Sequence, residues 1–81
     1  MDNSKYKRER ARYLASKWVD RKVDSLWREG YVVHIRQVWI DMSTCYSQLR
    51  HPNGNLIQIY ESGYGVTVYK NGKIIQKESF L

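Results

Sequence analysis

Five cations, Lys5, Lys7, Arg8, Arg10 and Arg12, fall within eight consecutive residues whose only acid is Glu9. Guanidinium and ammonium groups at that density neutralise phosphates or acidic side chains and release the counterions those anions hold. Tyr6 and Tyr13 are interleaved with them, and a ring beside a phosphate-binding cation can stack on a base. Lys17, Arg21 and Arg28 continue the basic pattern. A bland use of the same residues is a solvated helix start that keeps a small domain soluble.

Covalent chemistry has less to work with. Cys45, His34, His51 and Asp41 are the candidate groups, and no nucleophile elbow, phosphate-binding glycine loop or paired-carboxylate pattern accompanies them. No catalytic residue is assigned and an enzyme is not expected. The same four residues lack the close pair spacing of zinc sites, so neither a metal nor a cofactor is expected. Gly63-Tyr64-Gly65 reads as a bulge or tight connection, because it does not open a helix as a phosphate cradle would.

The elements that must carry these groups follow from periodicity. Asp2, Asn3 and Ser4 are competent N-caps and Gly30 stands where a left-handed C-terminal residue belongs, with no Pro or Gly between them. At 100° per residue, Ala11, Leu14, Ala15, Trp18, Val19, Val23 and Leu26 form one broad apolar face with Trp27 at its edge. Arg10, Lys17, Arg21 and Arg28 project as a narrow stripe. Asp20 and Asp24 lie beside them on the wheel and are expected to neutralise some of that charge. Arg8 and Arg12 project onto the apolar side, where desolvation is costly, so the first turns are expected to run past the core.

After Gly30 the period becomes two, yet Tyr31, Val33 and Ile35 are apolar on odd positions and Val38, Ile40 and Met42 on even ones. A bulge near Arg36 and Gln37 would reconcile the halves, and so would two shorter strands. Cys45 to His51 and Leu56 to Glu61 flank the turn residues Pro52-Asn53-Gly54-Asn55. Val66 to Lys70 and Lys73 to Glu78 flank Asn71-Gly72, a type I′ hairpin signal. Lys70, Lys73 and Lys77 around that hairpin read as protection of an exposed sheet edge.

The expected fold is α+β, one long N-terminal helix on a four- to five-stranded antiparallel meander. It forms a single domain over residues 1–81: a basic helical arm at 1–10, a core-packed helix at 11–30 and a sheet at 31–81. Tyr46, Tyr60, Tyr64, Tyr69, Trp39 and several Ile exceed what one helix can cover, so part of the aromatic surface is expected to serve as an interface or a homodimer seam. A single Cys excludes an internal disulfide framework, and the first residues lack an apolar leader, which fits the cytoplasm and no membrane. The net charge of +6 favours an anionic partner, and residues 1–30 carry nine basic and five acidic side chains, or +4 of it.

A basic N-terminal helix, then His34-Ile35-Arg36, the polar Ser43-Thr44-Cys45-Tyr46, the strand Leu56-Ile57-Gln58-Ile59-Tyr60 ending in Glu61-Ser62, and a closing hairpin resemble small proteins of phage and prophage genomes. Some of those are anti-CRISPR inhibitors. The resemblance implies a stoichiometric inhibitor or adaptor that occupies a surface of a host protein or ribonucleoprotein in the host cytoplasm. On that expectation Lys5, Lys7, Arg8, Arg10 and Arg12 form the arm, Lys17, Arg21 and Arg28 the stripe, and Tyr6 and Tyr13 add area or stacking. A small regulator that binds DNA or RNA directly, and a self-associating assembly protein, are the alternatives.

Overall fold

The computed structural model describes residues 4–81. Helix α1 spans Ser4–Arg28, followed by strands β1 (Val32–Trp39), β2 (Thr44–Arg50), β3 (Leu56–Ser62), β4 (Gly65–Lys70) and β5 (Lys73–Ser79). Each strand pairs antiparallel with its chain neighbour in the order β1-β2-β3-β4-β5, an α+β meander of five strands. The molecule is elongated, 52 × 23 × 20 Å.

Ser4 is already helical, and the capping candidates Asp2 and Asn3 lie outside the described residues. The far end closes as the sequence anticipates. Gly30 has φ 101°, its N–H donates to Trp27 O (3.0 Å), and the Tyr31 N–H donates to Leu26 O (3.1 Å). This is a Schellman closure, and its accompanying apolar contact is supplied by Leu26 and Tyr31, both buried in the core.

Ala11, Ala15, Val19, Val23 and Leu26 are the buried side chains of α1. From Ala15 onward they meet Leu49, Ile57, Ile59, Val66 and Val68 on one sheet face. Two members of the expected apolar face are left out: Leu14 is 37% and Trp27 64% exposed. Both sit about 110° around the helix from the line through Ala15 and Leu26, and a flat sheet on one side covers a narrower arc than that. Trp18 is half-buried at the margin of the core, where it lines a groove with Phe80.

Strand β1 is one bulged strand, not two. Its register against β2 shifts between Val33 and Ile35 and again between Ile35 and Val38, and Gln37 has φ 47°. That left-handed conformation, costly for a residue with a Cβ, is held because the Gln37 N–H donates to Oγ of the buried Ser47 (2.8 Å) and its Nε2 donates to Ser16 O of α1 (3.2 Å).

Strand β2 ends at Arg50 instead of His51. His51 belongs to the turn, where its N–H donates to Asn55 O (2.9 Å) and its Nδ1 accepts from the Asn53 N–H (3.1 Å). Asn71 and Gly72 have φ 51° and 84°, as a type I′ turn requires.

Alternation along β2 and β3 separates two faces. Cys45, Ser47 and Leu49 point at α1, while Tyr46 and Gln48 point to the open side. There Tyr46, Tyr60 and Tyr69 form a ladder with ring centroids 5.0 and 5.5 Å apart, tied by Tyr46 O–H to Gln48 Oε1 (2.8 Å) and Gln58 Nε2 to Tyr46 Oη (2.9 Å). Trp39 and Tyr64 do not join this face. Trp39 is in register with the inward-facing Cys45, and Tyr64 lies in the β3–β4 turn.

Candidate polyanion interface and adjoining cleft

Every described side chain from Ser4 to Arg10 is exposed, and Ala11 is the first buried residue of the helix. With the buried line fixed by Ala15, Val19 and Leu26, spacings of seven, four and seven place Arg10, Lys17, Arg21 and Arg28 on the opposite, outward side. All four are exposed. At about 1.5 Å of rise per residue they span about 27 Å along the axis. Tyr6 and Tyr13 project on the same side and are 65% and 58% exposed, and Lys17 Nζ lies 5.8 Å from the Tyr13 ring centroid, within cation–π range.

The remaining arm cations point elsewhere. Lys5, Arg8 and Arg12 turn toward the sheet end, where with Glu9 they line a shallow cleft over Tyr64. Lys7 projects toward the β5 side of the helix, on a different line from the stripe. The ten sequence candidates therefore divide into an outward stripe with two rings, an inward trio and a lateral lysine.

Asp20 and Asp24 make no salt bridge to their helical neighbours among the described residues. Both pair with Arg36 of β1: its Nη2 donates to Asp20 Oδ1 and, at 3.3 Å, to Asp24 Oδ1. The hydrogen bond that Arg36 donates to Asp20 chiefly raises the Arg36 pKa above its ordinary value, against desolvation. The double shift of β1 carries Arg36 to the helix side, which a wheel drawn for the helix alone does not represent. Among the described residues these are the only salt bridges, so Arg10, Lys17, Arg21 and Arg28 face solvent with no carboxylate bonded to them.

A second cleft, of about 450 Å³, opens where α1 crosses the β1–β2 end of the sheet. It is walled by Arg12, Tyr13, Trp39, Met42, Cys45 and Glu61. Trp39 is 65% exposed and Met42 wholly so. The loop carrying Met42 is fixed by Asp41, whose Oδ1 accepts the Ser43 N–H (2.8 Å), a bond that holds the Asp41 carboxyl below its ordinary pKa.

Glu61 Oε1 is buried there and has no hydrogen-bond partner among the described residues. An unsatisfied buried acceptor costs about 1–3 kcal/mol, more if charged. Burial accordingly pushes the Glu61 carboxyl up, with the Gln37 amide pulling the other way.

Cys45 lines this cleft as a buried thiol whose pKa is raised, first by desolvation and then by the Glu61 charge. That is opposite to the activation a nucleophilic thiolate needs.

Arg36, Met42 and Glu61 are residues to which the sequence assigned no site role, and Trp39, expected on the open aromatic face, joins them here. One signal was present: in β3 the inward phase runs Ile57, Ile59, Glu61, placing an acid at the end of an apolar alternation. Compared with family models, with curated proteins and with solved structures, the chain matches none of them.

Proposed function

We propose that the protein is a non-catalytic binding protein that inhibits or modulates a nucleic-acid enzyme or defence complex of a host cell, in the manner of the anti-CRISPR-type inhibitors its layout resembles. It acts by laying α1 along nucleic acid held by that target. The observation that supports this reading is the outward line of Arg10, Lys17, Arg21 and Arg28, without salt bridges among the described residues, while Arg36 holds the two nearby carboxylates. Direct binding of nucleic acid as a small regulator is the second reading, favoured by the exposed Tyr13 ring beside Lys17.

The test is fluorescence anisotropy with a labelled random single strand, together with capture of partners from a host extract with and without nuclease. If four phosphates are neutralised, log affinity falls against log salt with a slope of about −3, at about 0.7 per contact on a single strand. Replacing Lys17, Arg21 and Arg28 with Glu removes that dependence and the capture together. Binding to the naked strand without nuclease-resistant capture of a protein selects the regulator. Equal capture of one partner by wild type and the triple variant overturns both readings.

A further inference from the structure

We propose that the cleft walled by Trp39, Met42, Tyr13, Arg12 and Glu61 is a pocket for one unpaired guanine base of a single strand whose phosphates run onto α1. This rests on the nucleic-acid reading above and adds to it a base-specific site. Three features specify the ligand. Trp39, 65% exposed, and the wholly exposed Met42 offer flat apolar surface at the mouth of a cleft of about 450 Å³, a size within the range of about 300–1,000 Å³ for small-molecule sites. Unstacked bases are held on such aromatic surfaces. At the inner end, Glu61 Oε1 is buried without a partner and requires a donor.

The donor's charge is set by the third feature. Arg12 lines the same cleft, so a lysine or arginine side chain of a partner protein would bring a second cation against it, whereas a nucleotide brings neutral N–H groups and an anionic phosphate. Among the bases, guanine alone presents two adjacent donors, N1–H and the N2 amino group, on its Watson–Crick edge. Those match the two oxygens of the Glu61 carboxylate once they displace the Gln37 amide that now bonds it, and Arg12 at the rim meets the phosphate that accompanies the base. Adenine and cytosine each offer a single amino donor beside an acceptor that would face the carboxylate.

The experiment uses the full chain and labelled oligothymidylate carrying, at its centre, thymine, guanine, adenine or inosine, the last lacking the N2 amino group. At about 50 mM salt the guanine strand is expected to bind about 5- to 150-fold more tightly than the thymine strand, the range of one bidentate contact. Inosine is expected to lose most of that gain. Glu61→Gln, checked for folding by thermal melting, erases the guanine preference, so that the guanine and thymine strands bind alike. Trp39→Ala weakens the guanine strand.

Strands that bind with the salt dependence of the helix but without base preference, or a preference that survives Glu61→Gln, overturn the pocket and leave the helix reading standing. Absence of binding by every strand at that salt overturns both. An arginine-rich peptide that competes with the guanine strand and loses its affinity in Glu61→Gln assigns the cleft to a protein side chain and overturns the guanine assignment.

Discussion

Replacing Arg36 with Gln tests the device that keeps the helix cationic. One guanidinium serves both Asp20 and Asp24, with side-chain exposures of 40%, 45% and 51% respectively. At that exposure each pair is worth about 0.2–1 kcal/mol, so the two together stabilise the fold by about 1 kcal/mol. For a chain of this size that corresponds to a drop of about 4–8 °C in the melting temperature. Melting curves followed by circular dichroism, at 0.1 M and 1 M salt, read it directly. The screening length shrinks from about 10 Å to about 3 Å between those conditions, so the gap between wild type and variant narrows at high salt.

Binding supplies the second half of the same test. Freed from Arg36, the two carboxylates lie beside Lys17, Arg21 and Arg28, and the salt slope for a single strand shrinks in magnitude by up to about 0.7, one phosphate's worth. Asp20→Asn with Asp24→Asn moves affinity the opposite way. Equal melting temperatures at low salt would refute the electrostatic account, and a gap that persists at 1 M would assign Arg36 to packing of its aliphatic stem. Identical slopes for Arg36→Gln and wild type would show that the acids do not limit the stripe.

Further substitutions probe the scaffold and the cleft. Gly30→Ala places a Cβ at φ 101°, 3.0 Å from His51 Nε2, and is expected to cost about 1–3 kcal/mol in urea unfolding. Leu49→Ala, at a fully buried position, is expected to cost about 2–5 kcal/mol, whereas Trp27→Ala on the exposed flank changes stability by under about 0.5 kcal/mol; similar losses for the two would contradict the narrow buried arc.

Glu61 gives a pH test with a defined sign. Its folded pKa is raised above the ordinary 4.5, so the folded state binds the proton more tightly and loses stability as pH rises through the folded value. Glu61→Gln is thus expected to melt higher than wild type at pH 7, with the advantage fading as pH falls below about 4. A variant that melts lower at pH 7 would mean that the carboxylate is satisfied.

The parts of this fold that could be read from the chain are those specified locally. Gly30 ends the helix because of its own φ, Asn71-Gly72 makes its turn for the same reason, and the phase change after Ile35 announces a bulge whatever the rest of the chain does. What escaped the sequence depends on how one element is rotated against another. The helical wheel sets Asp20 and Asp24 beside Lys17, Arg21 and Arg28, but it cannot represent Arg36, which reaches them only because β1 is bulged and laid along that flank of α1. The same bulge aims Gln37 at Ser16 and turns Trp39 inward beside Cys45, converting an aromatic counted toward the open sheet face into a wall of the Glu61 cleft. One irregularity in one edge strand thus couples the two candidate surfaces. A substitution that straightens β1 should therefore weaken the outward stripe and dismantle the cleft together, although Arg10, Lys17, Arg21, Arg28 and Glu61 would all remain in the chain.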